Sequence, residues 1–205
     1  MKTTRLLRLL SLMVLLLGGA SYTLHAQQTH RLSDYIAQCP LIDVEARGQI
    51  VEAMRSLEAK GSSSEVFTLQ ANEVSNLSIT LMPMPNGTPV ICVIETLSRP
   101  RRDSYLRCFS PQWQELDARA FIHPEPRREE LLAALSLAPE SIRERLRQML
   151  TPLYWGLEWG DGATLRFTPQ PIPLPAGSTE DELNEWLSKL PILEYRWRGV
   201  RFERQ

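Results

Sequence analysis

The chain has 205 residues, 43% of them hydrophobic, with 23 Lys and Arg against 24 Asp and Glu, enough length for one sizeable domain or two small lobes. Without the three basic residues of its first stretch, 20 basic residues face 24 acidic ones, a net charge of −4, which argues against nucleic-acid binding through excess Lys and Arg. Three cysteines and two histidines beyond residue 26, with no His-Glu-x-x-His, His-x-His or Cys-x-x-Cys among them, argue against a closed zinc site.

Residues 1–26 read as an export signal. Lys2, Arg5 and Arg8 precede an apolar run over 9–17, broken only by Ser11, and the small residues Gly18, Gly19 and Ala20 follow. Nine helical residues span about 14 Å, less than half of a ~30 Å hydrocarbon core, so no stable membrane anchor is expected. Cleavage after Ala26 leaves Gln27 first, and Ala20 is the alternative; no cysteine lies at either point to accept a lipid. The mature protein is therefore expected in the periplasm or outside the cell.

Two units are expected after the leader, 27–117 and 118–205. In the first, a short helix is expected over 33–38. Asp43 can cap a longer one over 44–60, with Ile50, Val51, Met54 and Leu57 at helical spacing. A strand is read over 65–70. Leu77, Ile79 and Leu81 alternate with Ser78, Thr80 and Met82, the period of a strand with one buried face. Asn86-Gly87 supplies hairpin chemistry. Val90, Ile91, Cys92, Val93 and Ile94 are apolar on both faces, as in a doubly covered central strand, and 105–110 returns antiparallel.

In the second unit, helices are expected over 127–136 and from Pro139 to about 150. A hairpin over 154–168 turns at Gly160-Asp161-Gly162, and prolines 169, 171, 173 and 175 form a connector. A capping box at Ser178 with Asp181, or Thr179 with Glu182, opens a helix to 189. A second hairpin over 192–204 turns at Arg198-Gly199. Trp155, Trp159, Trp186 and Trp197 each fall on an apolar face, so one cluster is expected, with the helix laid across both hairpins. The pattern lacks long crossovers between parallel strands. It is that of an α+β fold: antiparallel sheets covered by helices, in two packed halves of similar kind.

The segments V-I-C-V-I-E-T-L from Val90, S-Y-L-R-C-F-S-P-Q-W-Q-E-L from Ser104, T-L-R-F-T-P from Thr164 and the ending L-E-Y-R-W-R-G-V-R-F resemble a family of secreted Bacteroidales proteins, classed as domain of unknown function 3256. The resemblance runs in order through nearly the whole mature chain. It implies export and the fold, and it brings no activity, cofactor or catalytic residue. Members often carry cysteines on either side of the loop after the V-I-C strand. Ser98 and Arg102 stand there in this chain, so no loop-closing disulfide is implied.

If Thr96 faces Ser104 across two antiparallel strands, Cys92 faces Cys108. They then form either a bridge, which an oxidising compartment allows, or two small buried apolar residues. A catalytic thiol needs a base, and none lies near any cysteine in sequence. No Gly-x-Ser-x-Gly elbow and no glycine-rich phosphate loop occur. No catalytic, cofactor-binding or metal residue is therefore assigned. Arg99, Arg101 and Arg102 make the most concentrated charge of the mature chain, a candidate interaction loop for an acidic partner or anionic sugar as well as an ordinary solvated turn. The function expected is a non-enzymatic binding module for a protein or glycan partner. The alternative is a carboxylate-dependent hydrolase acting on envelope or dietary polymers, since scattered Asp and Glu carry no spacing signal.

Overall fold

The structure is a computed structural model that describes residues 30–60, 65–99, 101–172 and 180–205. The leader and the capping box at Ser178 and Thr179 lie outside the described residues, as do Pro173 and Pro175 of the connector.

The chain is α+β. The first sheet is an antiparallel meander of β1 (Val66–Gln70), β2 (Ser75–Met82), β3 (Val90–Leu97), β4 (Asp103–Phe109) and β5 (Glu115–Leu116), in chain order. Gly87 turns the β2–β3 hairpin at φ +79°, a conformation that glycine adopts without steric cost. The register matches the reading from the residues: Thr96 faces Ser104, Ile94 faces Leu106 and Cys92 faces Cys108. Val90, Ile91, Cys92, Val93 and Ile94 are all buried, so β3 is covered on both faces. β2 departs from simple alternation. Thr80 and Met82 are buried along with Leu77 and Ile79, because its second face also meets protein, and the Thr80 hydroxyl donates to the Glu65 carbonyl over 2.7 Å.

One face of this sheet is covered by α1 (Leu32–Ile36) and α2 (Val44–Ala59). Leu32, Ile36 and Val51 join Leu77, Ile79, Ile91, Val93 and Phe109 in that cluster. Asp43 caps α2 as expected, its carboxylate accepting from the Glu45 amide over 2.8 Å. The buried face of α2 is the expected one except at Leu57. Val51 is buried, Ile50 and Met54 are half-buried, and Leu57 stays 52% exposed. The covered stripe runs from Val51 through Met54 to half-buried Glu58, an i, i+3, i+7 series that leaves Leu57 to one side.

The second sheet has the order β6 (Ile122–His123), β10 (Phe202–Arg204), β9 (Leu193–Trp197), β8 (Thr164–Gln170) and β7 (Tyr154–Trp159). All its pairs are antiparallel except β6 with β10. Two-residue β5 and β6, and a 3₁₀ turn at Ala118–Phe121 between them, escape pattern reading because they are too short to show a period. Leu157, Leu165, Phe167, Leu193, Tyr195 and Phe202 meet Met82, Val90, Cys92, Ile94 and Cys108 from the other face of the first sheet, so both sheets share one core.

Three helices complete the chain: α3 (Arg128–Ala134), α4 (Glu140–Met149), which Pro139 precedes as N-cap, and α5 (Glu180–Leu187). Here the expected tryptophan cluster is corrected. Trp155, Trp159 and Trp197 lie in the core shared by the sheets, whereas Trp186 packs with Leu183 and Leu187 against Ile142, Leu146 and Met149. The apolar stripe of α4 needs a cover, and α5 supplies it instead of lying across both hairpins. The last hairpin is also shorter than expected. The Arg198 amide donates to the Arg201 carbonyl, and exposed Val200 belongs to the turn.

Candidate functional site

The arginine loop joins β3 to β4, and Arg99, Arg101 and Arg102 are all exposed. Their acidic neighbour is used elsewhere. The Asp103 carboxylate accepts from the Ser104 and Trp155 amides, each over 3.0 Å. Its hydrogen bond with Tyr105 is the main reason that this phenol is pushed up to about 12. Among the described residues no ion pair engages the three arginines, so their charge faces solvent.

A cleft of about 790 Å³ lies elsewhere, where α1, the end of α2, the start of β1, the end of β2 and the β7–β8 turn meet. Its apolar floor is Leu32, Leu81, Met82, Pro83, Ala163 and Trp197, and its rim is His30, Arg31, Glu58, Glu65 and Asp161. Residues from both sheets therefore build it, and volume and lining suit a ligand site.

His30, Glu58 and Asp161 on the rim each have a structural anchor. The Nε2 atom of His30 lies 2.8 Å from the Gly87 carbonyl, and Nδ1 lies 2.6 Å from the Tyr35 hydroxyl. A carbonyl only accepts, so Nε2 carries a proton and donates, while in the neutral ring Nδ1 accepts the hydrogen bond of the Tyr35 hydroxyl. This histidine fastens the chain before α1 to the β2–β3 turn. Glu58 accepts from the buried Ser33 hydroxyl over 3.2 Å. Glu65 lies against the opposite turn: a Cβ placed on Gly162, which has φ +29°, would come within 2.9 Å of its carboxyl carbon. The Asp161 carboxyl is held below its usual range, chiefly by the hydrogen bond with Thr164 and then by the charges of Arg196 and Arg166. Trp197 closes the floor, its indole N–H donating to the Pro83 carbonyl over 2.7 Å.

This arrangement has the means to bind. The floor offers apolar area, and the rim offers charges of both signs to orient an occupant. A hydrolase that works through two carboxylates needs one held protonated and the other ionised, and Asp161, held below its usual range, suits only the ionised role. Among the described residues no three His, Cys, Asp or Glu side chains gather as a metal site. A second, shallower groove of about 520 Å³ runs along α2 between Ala37 and Arg55.

All three cysteines are fully buried. Burial pushes the Cys39 thiol up, and burial and then the hydrogen bond to Cys108 push the Cys92 thiol well up. Neither Cys39 nor Cys92 has the thiolate character of a nucleophile. Cys92 and Cys108 face each other with their sulfurs 3.9 Å apart.

The arginine loop is not part of the cleft, and reading by motif missed the cleft altogether. Gly160-Asp161-Gly162 carries only a turn signal, and Glu65 only a strand start. Their approach depends on how the two sheets pack, which no local spacing encodes.

Residues 21–202 match the model of a family described as a protein of unknown function (DUF3256), in line with the resemblance read from the strand segments. A solved structure of a domain of an uncharacterized protein from Porphyromonas gingivalis W83 superposes with a TM-score of 0.62 at 20% identity, covering 85% of this chain and 97% of that one. At that identity the likeness speaks for the fold alone. A comparison with curated proteins found no match.

Proposed function

We propose, from the premise that the chain belongs to the family described as protein of unknown function (DUF3256), that its mature part is an exported, non-enzymatic binding module of the periplasm or the cell exterior. On this reading residues 1–26 are a cleaved leader, the mature chain begins at Gln27, and no acyl chain is attached. Intact mass of the exported protein tests this: a retained leader or an added lipid mass overturns it.

The observation that carries the binding reading is the cleft between α1, β2 and the β7–β8 turn. An apolar floor stabilises an occupant by about 25 cal/mol per Å² of apolar surface removed from water, and a rim that holds Arg31 as well as carboxylates selects a ligand that carries both signs or many hydroxyls. A segment of a protein or glycan partner meets that description, and a nucleic acid, with its continuous negative charge, does not. Arg99, Arg101 and Arg102 offer a separate contact for an acidic partner. The second reading, a carboxylate hydrolase of envelope or dietary polymers, draws on Glu58, Glu65 and Asp161 lining the same cleft. Asp161, with its lowered pKa, would serve there as base and not as acid.

Calorimetric titration with short charged peptides and with acidic and neutral envelope oligosaccharides separates the two. The binding reading expects saturable binding of at least one class, weakened tenfold or more by Arg31→Ala, with the ligand recovered intact. Cleaved product that Glu65→Gln abolishes would move the assignment to the hydrolase. Binding indifferent to Arg31, or none, would remove the cleft as the site.

A further inference from the structure

We propose that Cys92 and Cys108 are joined in the mature protein by a disulfide across β3 and β4, a covalent lock on the register of the central strand. The inference rests on the export reading for its oxidising compartment, and on geometry for everything else.

The geometry follows from the ladders on either side. Ser98 donates its amide to the Val74 carbonyl over 2.8 Å, which makes that pair a hydrogen-bonded one. Bonded pairs recur every second residue in an antiparallel ladder, so Asn76 with Thr96, Ser78 with Ile94 and Thr80 with Cys92 are bonded pairs too. The peptide groups of Cys92 therefore point at β2, away from β4. Ser110 donates its amide to the Gln114 carbonyl over 2.9 Å. Cys108, two residues earlier and opposite Leu116, turns its peptide groups toward β5. Both ladders give the same result: Cys92 and Cys108 form a non-hydrogen-bonded pair. Such pairs have Cα atoms about 4.5 Å apart, within the ~4.4–6.8 Å that a disulfide spans. The sulfurs are already 3.9 Å apart, so side-chain rotation brings them to bonding distance without moving either strand.

The surroundings decide when the bond forms. Both residues are 0% exposed, and burial holds the Cys92 thiol protonated, so the folded dithiol is closed to oxidants. Oxidation belongs to folding, before β4 seats. One thiolate attacks the disulfide of an oxidised dithiol oxidoreductase or of a low-molecular-weight disulfide such as oxidised glutathione. The second thiolate attacks the cysteine sulfur of the resulting mixed disulfide, forming the Cys92–Cys108 bond as the bond to the oxidant breaks and its thiolate leaves. Two electrons and two protons leave the cysteine pair, and the oxidant departs as its thiol form. Cys39 stays a thiol, since it packs with α1 and α2 on the opposite face of the first sheet. The bond would hold β3 where a slip of one residue would turn each of its side chains to the other face.

Two preparations test this. Chain lacking residues 1–26 is refolded in mixed reduced and oxidised glutathione, and full-length chain is recovered after export. Both are denatured, alkylated without reduction and mapped by mass spectrometry. The expected result in each is a single alkylated cysteine, Cys39, and a cross-linked pair of peptides containing Cys92 and Cys108, with a mass 2 Da below the reduced chain. Added reductant should lower the urea midpoint of the wild type and of Cys39→Ala, and leave that of Cys92→Ala unchanged. Three alkylated cysteines in the refolded protein, or a bridge to Cys39, overturn the pairing on geometric grounds. A bridge in the refolded protein with three free thiols in leader-free exported protein overturns its occurrence in the mature form while export stands. A bridge in the refolded protein with an uncleaved leader in cells sinks the export reading and, with it, the proposal as stated.

Discussion

The indole N–H of Trp197 donates to the carbonyl of Pro83 over 2.7 Å, so a strand of the second sheet is fastened to the segment leaving β2 in the first. Trp159 repeats the device, donating to the Ser78 carbonyl over 3.2 Å. Each ring supplies apolar bulk to the shared core; Trp197 satisfies a carbonyl beyond the end of β2, and Trp159 is a second donor to a carbonyl already within the sheet ladder.

Trp197→Phe keeps most of the bulk and leaves the Pro83 carbonyl without this donor. It should cost about 1–3 kcal/mol, and Trp197→Ala about 3–5 kcal/mol. Urea unfolding measures both, and equal losses for the two variants would show that the hydrogen bond dominates and the ring does not matter.

Trp159 and Trp186 belong to different clusters. Alanine at each should destabilise independently, and the double variant should show the sum of the two losses to within about 0.5 kcal/mol. Coupling well beyond that would restore a single tryptophan cluster spanning both hairpins and α5.

The packed face of α2 separates two apolar positions, Val51 within it and Leu57 beside it. Val51→Asp buries a charge against the sheet and should cost several kcal/mol, because an unpaired charge there has lost its water. Leu57→Asp, at a position 52% exposed, should stay within about 0.5 kcal/mol of wild type. Thermal melts in one buffer decide the pair, and a large loss at Leu57 would return the helix to the face first read from its spacing.

Gly162 tolerates φ +29° and the close Glu65 carboxyl. Gly162→Ala should cost about 1–3 kcal/mol through backbone strain and that contact. Adding Glu65→Ala should recover the contact part and leave the backbone part. Full recovery would place the whole cost in the carboxylate, and no recovery would place it in the turn.

Among the described residues the Tyr195 hydroxyl is buried without a hydrogen-bond partner, and burial pushes the phenol up to about 12 from 10.0. Its sign follows from linkage. Between those values the unfolded chain has lost the proton and the folded one keeps it, so stability is full below pH 10 and falls as pH rises toward 12. Tyr195→Phe should flatten that alkaline decline, and at neutral pH it should be neutral or stabilising, since a buried hydroxyl without a partner costs about 1–3 kcal/mol. Melting temperatures from pH 7 to 11 test it. A strongly destabilised variant at pH 7 would mean that the hydroxyl has a partner after all.

Local chemistry, acting over a few tens of residues, was open to reading from the residues themselves. The β3–β4 register, with Cys92 opposite Cys108, follows from the apolar run of β3 and the charged loop after it. The Asp43 cap and the turns at Gly87 and Gly199 follow from residues that satisfy or bend the backbone where they stand. Periodicity names an apolar face, but it does not name what covers that face. Packing alone decided that α4 and not a hairpin receives Trp186, that Leu57 misses the sheet, and that β6 joins β10 across some eighty residues. It also decided that Glu65 and Asp161, separated in sequence by the whole first sheet and two strands of the second, line one cleft. Those contacts draw their energy from surfaces distant in sequence, and any one apolar stripe is compatible with several partners until the whole core closes.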